Sequence, residues 1–131
     1  GNYAAWRQII RDYTPDIQVS EQWAGENLIS ANYAQALVNY LFKHQDQYAD
    51  LIDDLRQATS SQFLQDLNEN VIIADKYGWY DGYIHDYGIV YADSPYQIGV
   101  FTNNIADAES VIAKISRICS AYNLWLAQYK E

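Results

Sequence analysis

The stretch VIIADKYGWYDGYIHDYGIVYADSPYQIGVFT, residues 71–102, decides the fold of this chain. Val71-Ile72-Ile73 is an apolar run leading into Lys76-Tyr77-Gly78, the pattern of a buried strand. Gly78 to Gly82 supplies a loop, and Ile84 to Ala92 reads as a second strand rich in aromatic and β-branched residues. Asp93-Ser94-Pro95 is a turn, and Tyr96 to Thr102 a third strand. Connections this short join antiparallel neighbours.

Beyond the strands, a long helix is expected from about Ile105 to Tyr129, capped by Asn103 or Asn104. Its stripe of Ile105, Ala108, Ile112, Ile115, Cys119, Tyr122, Trp125 and Tyr129 would pack on one face of the sheet. Before the strands the chain reads as helices. Trp6, Ile9, Ile10 and Tyr13 share a helical face that Thr14-Pro15-Asp16 ends. Ile17 to Trp23 is a short extended stretch and Ala24 to Asn27 a loop. Ser30 caps a helix with the stripe Tyr33, Ala34, Leu37, Val38 and Leu41. Asp46 caps the next, carrying Tyr48, Leu51, Ile52 and Leu55, and Ser60 or Ser61 a shorter one with Phe63, Leu64 and Leu67. The expectation is a single α+β domain over 1–131: mainly helical over 1–70, an antiparallel sheet over 71–102, a C-terminal helix over 103–131.

Composition sets bounds on function. The chain has 131 residues, half of them apolar, enough for a real core. A net charge of −9 cannot replace the counterions of a phosphate backbone, so no nucleic-acid partner is expected. No apolar run approaches the roughly 20 residues of a bilayer span. Cys119 is the only cysteine and lies inside an apolar helical pattern, where a thiol acts as a small hydrophobe. The chain starts at Gly1 and contains no methionine, which leads to the expectation of a processed or excised piece.

The order of elements resembles the C-terminal part of the penicillin-recognising serine hydrolases, the serine β-lactamases and DD-peptidases. Asp75-Lys76-Tyr77-Gly78, then Gly82, then His85-Asp86-Tyr87-Gly88-Ile89-Val90-Tyr91 carry the resemblance. In that family a strand bearing Lys-Thr-Gly or Lys-Ser-Gly forms one wall of the cleft, followed by a strand often running His-Asp into Gly-Ile-Val. The resemblance implies Lys76 as a catalytic residue, its ammonium holding a substrate carboxylate and assisting proton movement among nearby hydroxyls. It implies a substrate lying along the strand at Gly78, and an oxyanion-site N–H at or near Tyr80. Tyr77, Gly78, Trp79 and Tyr80 are the substrate-binding candidates; the alternative for Lys76 is a surface lysine near a strand end. No metal or organic cofactor is implied.

The chain departs from the family in two ways. Tyr77 stands where a threonine or serine hydroxyl normally meets the substrate carboxylate, and a phenol there would fill a ligand's space. Trp79, Tyr80 and Tyr83 could stack a sugar or peptide, or simply cover a sheet edge. The family acylates the serine of a Ser-x-x-Lys motif, and no serine here has lysine three positions on. Ser30-Ala31-Asn32 matches the family's Ser-x-Asn only by coincidence. Glu21 and Glu26 fall where many members carry a deacylating glutamate, but a solvated loop carboxylate is the better reading. His85-Asp86 reads as a hydrogen-bonding pair at a strand start rather than a metal site.

The expected function is therefore the C-terminal portion of a β-lactamase-like serine hydrolase, acting on a β-lactam or cell-wall peptide, with its nucleophile outside this chain. The resemblance implies an extracytoplasmic, secreted or membrane-anchored parent. Two alternatives stand: a non-catalytic cell-wall-binding domain that kept the fold, and an unrelated α+β interaction domain. If flanking strands are missing, an unpaired sheet edge should promote self-association.

Overall fold

A computed structural model describes residues 3–13, 30–58, 62–68 and 70–129. The expected Ile17–Trp23 strand, the loops around it, Glu21, Glu26, Ser60, Ser61 and the side chains of Trp6 and Tyr13 lie outside the described residues. The elements run α1 (Tyr3–Tyr13), α2 (Ala31–Lys43), a 3₁₀ turn (Gln45–Tyr48), α3 (Ala49–Ala58), β1 (Ile72–Tyr80), β2 (Tyr83–Tyr91), β3 (Tyr96–Asn103) and α4 (Ala108–Ala127). The strands form one antiparallel sheet in the order β1-β2-β3. Helices α2 and α3 pack on one face and α4 on the other, the α+β layering expected from the sequence.

Strand β1 runs further than the sequence pattern suggests. Trp79 and Tyr80 continue the ladder against Ile84 and Tyr83, so the connection shrinks to Asp81-Gly82. Both turn residues have positive φ, 48° and 78°, the requirement of a type I′ hairpin, and Asp-Gly is among its preferred sequences. A Cβ on Gly82 would run into the side chain of Asn104, whose backbone N–H donates to Gly82 O at 2.8 Å.

The α4 face of the sheet holds the larger core: Ile73, Val90, Ile98 and Val100 close over Ile112, together with Phe63 and Leu64. The expected helix around Phe63, Leu64 and Leu67 is instead a run of turns over residues 63–67, with Phe63 and Leu67 at φ 50° and 65°. The reason is tertiary: Leu64 N–H donates to buried Asp86 and Leu64 O accepts from Ser116 Oγ, so both backbone groups of Leu64 are held from outside the segment.

On the other face Tyr33, Ala34 and Val38 of α2 are buried, as their spacing indicates, and Ser30 Oγ accepts from Tyr33 N–H at 3.2 Å as the cap. Gln97 bridges β3 to α2 through Gln35 and Asn39. Asp46 does not cap α3; it lies in the first turn of the 3₁₀ segment, whose cap residue is His44.

Helix α4 also begins later than expected. Asp107, left-handed at φ 55°, takes the N-cap position instead of Asn103 or Asn104. Its buried residues are Ala108, Ile112, Ala113, Ser116 and Ser120, mostly small, which lets the helix approach the sheet. The expected stripe is only partly right: Ile115, Tyr122, Trp125 and Tyr129 are exposed.

Candidate active-site wall

Side chains alternate across a strand, so the five candidate residues divide between two faces of β1. Lys76, Gly78 and Tyr80 fall on the face of α2 and α3, Tyr77 and Trp79 on the face of α4. Among the described residues β1 is an edge strand, and this lets the lysine reach around it. The ammonium of Lys76 donates to Tyr77 O at 2.6 Å and sits 4.5 Å from the centre of the Tyr77 ring.

Lys76 lines an apolar groove of about 540 Å³ between the helical layer and the sheet. Leu37, Leu41 and Leu55 form its helical wall, Ala74 and Ile89 its floor. Lys76 is the only formally charged residue among the described residues along it. Its stem lines the groove, while the ammonium reaches past the strand edge to Tyr77 at the groove's mouth. A carboxylate arriving there would displace only the Tyr77 carbonyl, an acceptor weaker than an ionised one. Beside the lysine, the space at Gly78 is open: a Cβ built there meets nothing within 4 Å.

Tyr77 is turned from that groove. Its ring stacks on Phe63 at 4.8 Å and 19° and packs against the core of the α4 face. With Phe63, Trp79 and Ile84 it lines a second groove, of about 580 Å³, whose rim carries Asp107 and Glu109. Trp79 and Tyr80 are exposed at 73% and 80%.

Immediately behind Lys76 lies a feature the sequence reading missed. Asp75 and Asp86 are both 0% exposed. They sit diagonally across the β1–β2 ladder, Asp75 opposite Gly88 and Asp86 opposite Tyr77, on the same face of the sheet. Gly88 is what gives Asp75 room, since an added Cβ would lie 2.7 Å from Asp75 Cα. Gln65 Nε2 donates to Asp75 Oδ1 at 2.6 Å and Leu64 N–H to Asp86 Oδ2 at 3.0 Å. Two buried carboxyls this close disfavour a second charge, so the pair favours holding a proton. Burial, then the negative charge of Asp75, pushes Asp86 up to about 8; the Leu64 N–H acts against this and is outweighed. The available signal was an acid at an inward position of each apolar strand, in Ile-Ile-Ala-Asp and His-Asp-Tyr-Gly.

His85 and Asp86 are not bonded as a pair. They project to opposite faces of β2, and while Asp86 meets Leu64, His85 Nδ1 accepts from Thr102 N–H at 3.1 Å. Among the described residues no group of three or more His, Cys, Asp or Glu side chains could hold a metal ion.

A helical layer, an antiparallel sheet whose first strand carries Lys-x-Gly, and a closing helix make up the described fold. Two solved structures share it: PBP-A, with a TM-score of 0.71, 18% identity, and coverage of 93% of this chain and 51% of that one; and a PBP-A point mutant in acyl-enzyme complex with penicillin G, with a TM-score of 0.70, 18% identity, and coverage of 93% and 52%. This chain therefore spans about half the length of the structures it matches. The model of the β-lactamase enzyme family matches residues 6–125, and the chain belongs to that family. No curated protein matches it.

Proposed function

We propose that this chain supplies the carboxylate-binding wall of a β-lactamase-like serine hydrolase, with Lys76 as its catalytic cation and Gly78 to Tyr80 as the strand along which substrate lies. The substrate is a β-lactam or a cell-wall peptide ending in a free carboxylate. The attacking serine comes from a Ser-x-x-Lys motif that is not in this sequence. The compartment that fits such a substrate is extracytoplasmic, and self-association through an open sheet edge belongs to the same proposal. The observation that carries it is Lys76, the only formal charge among the described residues along an apolar groove, next to open space at Gly78.

The test is acylation. Incubated with a fluorescent penicillin, the chain should take up no covalent label and should not hydrolyse a chromogenic β-lactam. Steady turnover or a stoichiometric adduct would overturn the assignment of the nucleophile to other sequence. A second reading, a wall-binding domain without chemistry, is favoured by Tyr77: the hydroxyl expected in its place is replaced by a ring committed to Phe63. The two part when the chain is combined with a Ser-x-x-Lys partner segment, since only the hydrolase reading predicts acylation that needs Lys76.

A further inference from the structure

Charges of opposite sign are divided between the two faces of β1. On the face of α2 and α3 the apolar groove carries Lys76 as its one formal charge. On the face of α4 the groove of about 580 Å³ carries Asp107 and Glu109 and, among the described residues, no basic side chain. The wall of this second groove is aromatic, built from Phe63, Tyr77 and Trp79. The Tyr77 ring is already engaged, by Phe63 at 4.8 Å and by the Lys76 ammonium at 4.5 Å. Trp79 remains open, at 73% exposure.

The two acids are not committed within the fold. Glu109 stands in the first turn of α4, where a carboxylate suits the helix dipole, but Asp107 at the N-cap makes no side-chain capping bond. Neither carboxylate forms an ion pair or a side-chain hydrogen bond among the described residues, and both residues are exposed. Ile84 and Ile105 add apolar surface between the indole and the acids. An open indole face beside unpaired carboxylates is an environment for an organic ammonium group. The ring quadrupole and the carboxylates attract the charge, and the apolar surface takes the alkyl chain that carries it.

We propose that this groove is a subsite for a primary ammonium group, the aminoalkyl side chain of a peptide substrate whose terminal carboxylate lies on Lys76. This deepens the reading given under the proposed function and rests on it, since Gly78 to Tyr80 is there the strand along which substrate lies. Lys76 and Trp79 are three residues apart on β1, roughly 10 Å along the strand. An extended peptide spans that gap when a lysine-like residue precedes its carboxylate end. Tyr77 then has a part to play in place of the expected hydroxyl: with Phe63 it walls the ammonium subsite, while its carbonyl and ring hold the Lys76 ammonium at the strand edge. The same two acids repel a ligand that brings a second carboxylate here, which makes the groove selective as well as attractive.

Two peptides that differ only in the ammonium group test this: acetyl-lysyl-alanine and acetyl-norleucyl-alanine, titrated into the full chain at low salt and followed by nitrogen-edited NMR. The lysyl peptide should bind about tenfold more tightly and shift the Trp79 indole N–H. That preference should fall below about twofold in the double variant Asp107→Asn/Glu109→Gln. Both positions are exposed, and asparagine tolerates the left-handed backbone of Asp107, so the fold is kept. Lys76→Ala should weaken both peptides alike. Equal binding of the two peptides, or a preference that survives loss of both acids, overturns the ammonium subsite; the carboxylate wall stands if Lys76→Ala still weakens both. A lysyl preference that needs the acids but ignores Lys76→Ala supports the subsite and overturns the wall. Failure of both peptides to bind overturns both.

Discussion

Replacing Asp86 with asparagine should make the protein more stable at pH 8 and leave it close to wild type at pH 5. In the unfolded chain Asp86 titrates near its ordinary value of 3.8, whereas in the fold it is pushed up to about 8. Between those values the folded chain holds a proton that the unfolded chain has released. Stability from this group is therefore fully present below about pH 4 and is lost as pH rises toward 8. The slope is about 1.4 kcal/mol per pH unit, so the window spans a loss of order 5 kcal/mol, comparable with the whole stability of a small domain. Asparagine keeps an oxygen for the Leu64 N–H and has no charge to desolvate beside Asp75. Urea unfolding followed by circular dichroism, at intervals from pH 5 to 8, reads both slopes. The wild type should fall steeply and Asp86→Asn should be nearly flat, the two curves crossing within the window. A variant with the wild-type slope, or a wild type that gains stability over this range, would refute the raised pKa of buried Asp86.

Two further substitutions probe the packing behind the site. Gly88→Ala places a methyl 2.7 Å from Asp75 Cα, a backbone clash that should cost about 3 kcal/mol in unfolding and disturb the Asp75–Asp86 pair. Ser116→Val removes the buried hydroxyl that donates to Leu64 O and accepts from Asn68 at 2.8 Å, and should cost about 1–3 kcal/mol in the same assay.

The strands, their antiparallel order and the helical faces of α2 were legible because period and turn chemistry act over a few residues. Asp81-Gly82 could have set the hairpin, but Gly78 drew the loop too early: a glycine with open space beside it is compatible with continued strand. The turns at 62–68 were not legible. Phe63 and Leu64 carry a helical pattern, and the groups that hold them otherwise, Asp86 and Ser116, lie 22 and 52 positions from Leu64. The outward side of α4 was misread for a related reason. Tyr122, Trp125 and Tyr129 look like core in sequence, yet the small residues Ala113, Ser116 and Ser120 decide which side meets the sheet. At the candidate site, Lys76 and Gly78 were singled out through their motif, and both lie on one face of β1. The direction of Tyr77 depends on Phe63, and the proximity of Asp75 to Asp86 on register, neither of which is visible locally.

The most direct test of the account is a nitrogen-edited NMR titration of the chain with a penicillin, whose carboxylate should seek the Lys76 ammonium. The prediction is shifts concentrated at residues 76–80 and along the apolar groove, with affinity falling at least about tenfold in Lys76→Ala, an exposed change that leaves the fold intact. Binding that is indifferent to Lys76→Ala, or shifts confined to another face of the molecule, would contradict it.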